Sequence, residues 1–302
     1  MIRRASGEVL KIVEHKDATA EEREIHEVNA GIYCFDAQAL FSALAKVTND
    51  NAQGEYYLPD VLSILRDAGE KIWAVVADNY ESTLSINSRS QLAVAERILR
   101  RRKAEELMAD GVTIIDPHTT FIDAEVRVGM DTIIYPFTFL EGVTVIGEDC
   151  RIGPNVRFQD MVIGDNVKAH YVYAHDAEVE SGTDLGQFNH IRPDSRIGAG
   201  VKIGNFVEVK NSNVGAGTKL PHLSYIGDCD LGAHVNMGCG TITVNYDGKH
   251  KYRTVIEDNA FVGCNSNLVA PVTVGENAYV AAGSTITRDV PSGTLSVARA
   301  RQ

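Results

Sequence analysis

An apolar residue recurs at every sixth position along most of the chain from Ile122 onward. An α-helix does not keep a period of six on one face, and a half-buried strand alternates with a period of two. A small residue often follows, as in the Ile-Gly pairs at 146, 152 and 197. The pattern therefore predicts a parallel β-helix with triangular turns, in which three hexads supply three short strands and the apolar side chains point inward. The positions in steps of six are Ile122, Val128, Ile134, Leu140, Ile146, Ile152 and Phe158, then Val179, Leu185, Ile191, Ile197, Ile203 and Val209, and finally Ile256, Val262, Leu268, Val274, Val280 and Ile286.

A polar excursion interrupts this period between Thr243 and Ile256. Its sequence, NYDGKHKYR, is rich in turn-forming and cationic residues. Excursions of this kind project from one side of a solenoid and commonly form its binding side. A similar interruption near 168–176 contains fewer residues of the types that bind ligands or take part in catalysis. We therefore expect the functional site within residues 201–254.

The first third of the chain has a different pattern. Residues 1–88 alternate helical and strand-like segments, as in an α/β domain, but no Gly-rich phosphate loop precedes them. A polar helix follows over 88–109, with Gly111 placed as its C-cap. We predict an α/β piece over 1–88, a linker helix over 89–110 and the β-helix over 111–302. The expected elements of the first piece are the strands EVLKIVE, AGIYCFDA and IWAVVAD and the helices ATAEEREIHEV and AQALFSALAKV.

Composition excludes several classes of function. The net charge of −12 argues against nucleic acid, which requires a concentrated basic face. No apolar run approaches the ~18 residues of a membrane span, so we expect no membrane partner. The five cysteines are an odd number without a CxxC pair, which indicates reduced thiols and a cytoplasmic location.

The 201–254 segment combines a candidate base with cations. His222 is a candidate general base toward an amine or hydroxyl, because the pKa of imidazole lies near working pH. Glu208 is the carboxylate that would orient it, although a histidine simply satisfied on a strand is the alternative. A groove with four basic residues would suit a phosphate dianion. These residues are Arg192, Lys210, Lys251 and Arg253.

A zinc site shared between subunits is a rival hypothesis. Triangular prisms often pack their flat faces around a threefold axis, which would place sites in the grooves between subunits. No HxxxH or HExxH spacing supports a zinc site within one chain. The histidines that raise the possibility are His170, His175, His190 and His234.

The whole chain resembles a known family through specific segments: VEHKDAT, NAQGEYYLPDV, GNFVEVK, HLSYIGD, NMGCGTITVNYDGKHKYRT, LVAPVTVG and AAGSTITRDV. The family is that of the bacterial bifunctional N-acetylglucosamine-1-phosphate uridyltransferase/glucosamine-1-phosphate N-acetyltransferases. The resemblance implies a left-handed parallel β-helix and a homotrimer with sites between subunits. It also implies direct acetyl transfer from acetyl-CoA to the amine of glucosamine 1-phosphate, in the biosynthesis of UDP-N-acetylglucosamine for peptidoglycan and lipopolysaccharide.

The resemblance also implies roles for individual residues. His222 would take a proton from the attacking amine, with Glu208 orienting it. The acceptor-sugar and phosphate positions correspond to Arg192, Lys210, Tyr225, Asn236 and Lys251. The acetyl-CoA positions correspond to Cys239, Asn245, Tyr246, Cys264, Ala282 and Arg299. The backbone amide of Cys239 would donate to the oxyanion. Alanine is common in the family at the first cysteine position and serine at the second.

The chain departs from the family pattern at its ends. The Gly-rich nucleotide loop, its basic lysine and the first metal-binding aspartate have no counterpart here. Glu14, Asn29 and Asn87 correspond to residues that touch UDP-sugar, and Asn87 also to a magnesium ligand. Half a site does not hold the triphosphate and metal, so we expect no uridylyl transfer. The tail SVARARQ stops short of the usual basic tail. The alternative to an active acetyltransferase is therefore an inactive trimeric scaffold.

Overall fold

The computed structural model describes residues 1–4 and 6–300. The chain forms two compact units, of which the first spans residues 1–96 and the second begins at Arg97. No helix in the described ranges combines the length and the apolar character needed to cross a lipid bilayer.

The first unit contains short elements around a small core. An antiparallel pair joins the strands Ile2–Arg3 and Val9–Lys11. Helix α1 (Ala20–Arg23) begins with a reciprocal capping box, in which the Thr19 hydroxyl accepts from the Glu22 amide and the Glu22 carboxylate accepts from the Thr19 amide. The helices are α1 (Ala20–Arg23), α2 (Ala37–Leu44), α3 (Asp60–Asp67) and a 3₁₀ turn at Tyr80–Thr83.

Two strands expected in this unit do not form. AGIYCFDA and IWAVVAD have no ladder partner in the described part of the chain. Trp73 is 80% exposed and Val75 96% exposed. A strand is stabilised by its neighbours, so a run with high strand propensity stays irregular where no partner strand lies beside it.

Helix α4 spans Arg89–Ala109, which confirms the helix predicted over 88–109. It ends in a Schellman motif: the amide of Val112 donates to the Leu107 carbonyl (3.0 Å) and that of Gly111 to Met108 (3.2 Å). Gly111 adopts φ +92°, which a residue with a side chain rarely tolerates. The sequence position of this glycine therefore identified the end of the helix correctly.

The second unit is a parallel β-solenoid with three faces, as the hexads predict. Ile134 and Ile152 are register partners one turn of three hexads apart. The first face consists of Thr113–Ile114, Ile133–Ile134, Arg151–Ile152, Lys168–Ala169, Asp184–Leu185, the start of Lys202–Lys210, the start of Lys219–Gly227, Asn236–Met237, Phe261–Val262, Tyr279–Val280 and Leu295–Ser296. The second consists of Phe121–Ile122, Phe139–Glu141, Arg157–Gln159, Val172–His175, Asn189–Ile191, the ends of the same two long strands, Ile242–Val244, Asn267–Val269 and Thr285–Ile286. The third consists of Arg127–Val128, Val145–Ile146, Val162–Ile163, Ala177–Val179, Ser195–Ile197, Asn213–Val214, Cys229–Leu231, Thr254–Ile256 and Val272–Val274.

The core of the solenoid is the stack of inward-pointing hexad residues. Every residue in the six-step series is buried except Val128, which is partly buried against the core. The largest fully buried side chain is Phe158. Burial of this continuous apolar stack, at about 25 cal/mol per Å² of apolar area, is the main force that holds the turns together.

The corner between the first and second faces carries bulky residues in the left-handed backbone conformation. Phe188, Phe206 and Leu223 have φ of +61°, +60° and +44°. The rings of Phe188 and Phe206 stack at 5.1 Å. Such conformations are uncommon for residues with large side chains and concentrate at functional sites. Leu223 directly follows His222, so this corner positions the candidate base.

Candidate functional site

Five residues occupy equivalent positions on successive turns at this corner, and we call them the corner column. Asn205 pairs with His222 in register. Lys219 pairs with Asn236 and Tyr225 with Ile242, both at the same offset, so the partner of His222 is Cys239. By the same reasoning, the pairings of Phe261 and Asn267 with the turns on either side place Cys264 and then Ala282 on the next two turns. The corner column is Asn205, His222, Cys239, Cys264 and Ala282.

The column unites half of the expected acetyl-CoA positions with the expected base. The amide of Asn265 donates to the Cys239 carbonyl at 2.7 Å, which ties the two cysteine turns together. Arg299 reaches the same line, because its Nη1 donates to the Ala282 carbonyl at 3.0 Å. The register thus places three of the six expected coenzyme positions in line with His222, of which Cys239 is its direct neighbour. A fourth, Arg299, is joined to this line through the Ala282 carbonyl.

His222 is exposed, and its backbone is closely confined. A Cβ added to Gly204 would lie 1.7 Å from the carbonyl oxygen of Pro221, so the two turns approach each other directly beside the histidine. The Ser224 hydroxyl donates to the His222 carbonyl at 2.9 Å. Its imidazole forms no hydrogen bond to residues 1–4 or 6–300. The ring is therefore available to a substrate while its backbone is fixed.

Glu208 contacts Arg192 and not His222 in the single chain. Arg192 Nη1 lies 2.8 Å from Glu208 Oε1. In the ladder Glu208 stands between His190 and Tyr225, whereas His222 pairs with Asn205. The expected orienting role of Glu208 therefore stays a prediction. The positive charge of Arg192, expected at the phosphate, is already paired with the Glu208 carboxylate.

A cluster of cations, amides and one carboxylate lies on the second face. Lys210 Nζ is 4.0 Å from Asp228 Oδ2. The Asn245 amide donates to the same oxygen, and its Nδ2 lies 3.5 Å from the Tyr225 hydroxyl. The side chain and charge of Lys210 lower the pKa of Lys251. Two neighbouring ammonium groups that repel each other are well suited to a dianion.

The polar excursion forms a hairpin that brings Lys251 to this cluster. Tyr246 and Lys251 form an antiparallel bridge. Asp247 Oδ1 accepts from the amides of Lys249 and His250, both at 2.7 Å. The His250 and Lys249 amides hold the pKa of Asp247 below its usual value. The Tyr246 hydroxyl donates to the Gly248 carbonyl at 2.7 Å.

Asp228 is the residue of the site that sequence reasoning missed. It is 7% exposed and has φ +49°. Burial opposes its ionisation, but hydrogen bonds from Asn211 and Asn245 and the charges of Lys210 and Lys251 outweigh burial and lower the pKa of the carboxyl. The available signal was an acidic residue directly after an Ile-Gly corner, Ile226 and Gly227.

Arg253, expected in the phosphate groove, is engaged elsewhere. Its Nη2 lies 2.6 Å from Asp230 Oδ1, and its Nη1 donates to the Asn211 carbonyl at 3.1 Å. The hydrogen bond from Arg253 is the largest of the effects that lower the pKa of Asp230. Arg253 therefore closes the base of the hairpin against the third face. Asn236 is half-buried on the first face, beside Lys219 in register.

The three expected UDP-sugar residues belong to the first unit and make separate contacts. Asn29 donates to the Tyr33 hydroxyl at 2.6 Å. The amide of Asn87 donates to Gln91 at 2.7 Å, and Glu14 is exposed. No hydrogen bond or ion pair joins the three. Mg²⁺ prefers an octahedral set that includes carboxylates, and Asn87 offers one amide oxygen, so the residues present do not fit a magnesium site.

The histidines of the zinc hypothesis are partly clustered on the second face. The rings of Tyr173 and His190 stack at 4.9 Å, and His175 lies 5.8 Å from His190. Burial lowers the pKa of His190. Over residues 1–4 and 6–300 the structure contains no group of three or more His, Cys, Asp or Glu side chains placed to hold a metal ion.

Comparison with known proteins gives one family model and many close relatives. The model of bacterial transferase hexapeptide (six repeats) matches residues 253–288. The chain is 58% identical over 302 residues to the bifunctional protein GlmU of Geobacillus sp. (strain WCH70). It is 57% identical to that of Geobacillus thermodenitrificans (strain NG80-2) and 54% to that of Brevibacillus brevis (strain 47 / JCM 6285 / NBRC 100599). In each case all of this chain is covered and 66% of the relative.

Among the solved structures with some similarity are acyltransferases. The Arabidopsis UDP-N-acetylglucosamine acyltransferase is 15% identical with a TM-score of 0.34, over 62% of this chain and 69% of that one. The Francisella novicida UDP-N-acetylglucosamine acyltransferase is 18% identical with a TM-score of 0.31, over 62% and 67%. Similarity at this level supports no conclusion. The sequence identity to the curated relatives extends over every residue of the chain and does support a conclusion. The chain belongs to the family of bifunctional GlmU proteins and spans 66% of the length of those it matches.

Proposed function

We propose that the chain transfers the acetyl group of acetyl-CoA to the amine of glucosamine 1-phosphate, in the biosynthesis of UDP-N-acetylglucosamine. The observation that carries this proposal is the position of His222. Its exposed imidazole stands in the corner column beside Cys239, and the adjoining face carries Lys210 and Lys251. The register supports the proposal, because His222 lies near the start of the long strand Lys219–Gly227 and Lys210 pairs with Gly227 at its end.

The reaction is an aminolysis of a thioester. The sugar amine attacks the carbonyl carbon while His222 accepts a proton from the nitrogen. The backbone N–H of Cys239 donates no hydrogen bond to residues 1–4 or 6–300, which supports its use as the oxyanion donor in the tetrahedral intermediate. Collapse of the intermediate breaks the carbon–sulfur bond, and coenzyme A leaves as the thiol with the proton carried by His222. Lys210 and Lys251 hold the phosphate during these steps.

The polar cluster on the second face orients side chains of the proposed site. Asp228 engages the Nδ2 of Asn245, so the amide is fixed with its oxygen free to face the substrate. The charges of Lys210 and Lys251 both act on the same carboxylate, which limits the mutual repulsion of the two ammonium groups. We assign Asp228 to positioning these three side chains. The remaining expected ligands, Tyr225, Asn236, Tyr246, Cys264, Ala282 and Arg299, keep the roles implied by the family.

The finer features of the architecture belong to the same proposal. We propose a left-handed solenoid that assembles as a homotrimer with sites between subunits. The exposed aromatic corner at Phe188 and Phe206 supports an assembly, since exposed apolar patches commonly mark interfaces. Residues 1–88 would be the nucleotidyltransferase piece and 89–110 the linker helix. The cytoplasmic location suggested by the free thiols stays a prediction.

The test is a thiol-release assay with acetyl-CoA and glucosamine 1-phosphate. We expect turnover by the wild-type chain and its loss, by at least about 100-fold, in His222→Ala. His234→Ala is the matched control, because it removes another exposed imidazole at a different corner. Wild-type protein that assembles but shows no turnover would support the inactive scaffold and overturn the proposal. Unchanged activity in His222→Ala would overturn the assignment of the base.

A further inference from the structure

Two cysteines follow His222 directly in the corner column. Cys239 is half-buried and Cys264 is exposed, and both thiols are free. They are equivalent positions of neighbouring turns, because Asn236 pairs with Phe261 and Ile242 with Asn267 at the same offset. Nothing in the acetyl-transfer mechanism requires either thiol, since the contribution of Cys239 comes from its backbone.

The backbone geometry brings these two residues within bonding range. Neighbouring strands lie about 4.8 Å apart, and a disulfide joins Cα atoms about 4.4–6.8 Å apart. A Cβ added to Gly238 would lie 2.4 Å from the Cys264 nitrogen, so the turns are in direct contact here. The next residues, Gly240 and Asn265, have φ of +73° and +54°, so both cysteines enter the same kind of corner.

The remaining cysteines differ from this pair. Cys150 and Cys229 are 0% exposed, and burial raises the pKa of both thiols. Thiols of that kind react slowly because the thiolate is the nucleophile. Cys34 is exposed but belongs to the first unit. The structure thus contains one pair of accessible cysteines on adjoining turns within residues 1–4 and 6–300.

The geometry points to a reversible thiol-oxidation site formed by Cys239 and Cys264, with a peroxide as the oxidant. One thiolate attacks a peroxide oxygen and becomes a sulfenic acid, and hydroxide leaves to form water. The second thiol attacks that sulfur and displaces a second water, so two thiols and hydrogen peroxide give one disulfide and two waters. In-register Cβ atoms about 4.8 Å apart must approach by up to about 1 Å to reach the usual separation in a disulfide, which strains the bond and makes it easily reduced.

The consequence for acetyl transfer rests on the proposed function. A disulfide beside His222 would alter the corner where the thioester has to lie, and it would pull on the Cys239 amide that faces the oxyanion. Any corner open to acetyl-CoA is also open to a small peroxide. We therefore expect oxidation to reduce acetyl transfer by at least about 10-fold and a dithiol reductant to restore it.

The experiment treats the full chain with hydrogen peroxide and maps disulfides by mass spectrometry after digestion. We expect the peptides of Cys239 and Cys264 to be linked within one chain, with loss of two titratable thiols that dithiothreitol restores. Cys34→Ser is the matched control and should retain the link, whereas Cys264→Ser should abolish it. Absence of the link, or linkage between chains on a non-reducing gel, would overturn the proposal.

The same samples are assayed for thiol release after the peroxide is removed. Linked protein that loses activity and recovers it on reduction supports the whole inference. Linked protein with unchanged activity overturns the consequence for transfer. A reduced wild type without turnover is a failure of the proposed function alone, because the disulfide map is read independently of activity.

Discussion

The replacement Gly204→Ala tests whether close backbone packing positions His222. Gly204 lies on the long strand Lys202–Lys210, one turn below Pro221. The added Cβ would lie 1.7 Å from the Pro221 carbonyl oxygen and 2.6 Å from its carbonyl carbon. Gly204 does not have a positive φ, so the alanine brings only this contact and no left-handed strain.

The magnitude follows from the overlap. An ordinary carbon–oxygen contact is about 3.3 Å, so the two backbones have to separate by about 1.6 Å. Neither atom belongs to a flexible side chain, and overpacking of this kind costs about 3 kcal/mol or more. In a chain of this size that corresponds to a fall in Tm of about 6–12 °C. Because Pro221 precedes His222, and a displacement of about 1 Å at a catalytic group can cost ~100-fold, we expect kcat to fall by a similar factor.

Thermal unfolding by circular dichroism and the thiol-release assay measure the two effects. Gly200→Ala is the control: its φ is +64° and no heavy atom lies within 4 Å of the added Cβ. It should lower the free energy of unfolding by about 1–2 kcal/mol through left-handed strain alone, with kcat unchanged. A Gly204→Ala protein that melts within 2 °C of wild type and retains its kcat would refute the reasoning.

Three further replacements test the second-face cluster and the hairpin. Asp228→Asn removes charge-assisted hydrogen bonds worth about 1.5–3 kcal/mol, so kcat/KM should fall by about 10- to 100-fold, and an unchanged kcat/KM would exclude the positioning role. Lys251→Met should raise KM for glucosamine 1-phosphate by about 10-fold and leave KM for acetyl-CoA nearly constant; equal effects on both would contradict a phosphate contact. Arg253→Met should lower stability by about 1 kcal/mol at pH 7, since the Asp230 pair is partly exposed. Arg253 lowers the pKa of Asp230 in the folded state. The contribution of this ion pair to the free energy of unfolding is therefore present above about pH 4 and is lost as pH falls further. The Tm difference between wild type and Arg253→Met should therefore narrow below pH 4, and a constant difference would argue against the ion pair.

The stability contribution of the first unit is also predictable. Exposed apolar residues such as Trp73 and Val75 indicate weak packing there. We expect limited proteolysis to cut within residues 1–88 before the solenoid, and a segment starting at Gly111 to melt at or above the full chain. A single cooperative transition that includes both parts would contradict this expectation.

Much of the solenoid could be predicted from the sequence because its order is local. Each hexad uses the same short strand and corner, so Ile134, Ile152 and Ile203 reveal their burial through spacing alone. The end of α4 at Gly111 could be predicted equally well, since a helix C-cap depends on a few neighbouring residues. The two missing strands of the first unit show the limit of this approach: strand propensity was present, but pairing depends on a partner that propensity does not supply.

The sequence by itself determined the period, the core and the types of group at the site: a histidine, several cations and a polar excursion. Only the tertiary structure decided which of them meet. It placed Thr243 and Ile256 on successive faces, so that the excursion folds back as a hairpin, and it joined Asp228 to Asn245. The physical reason is that side chains one turn apart in space lie 16 to 25 residues apart in the chain, with an offset that changes wherever a loop is inserted. Register, and with it the line from His222 to Cys264, is therefore a property of the stacked turns.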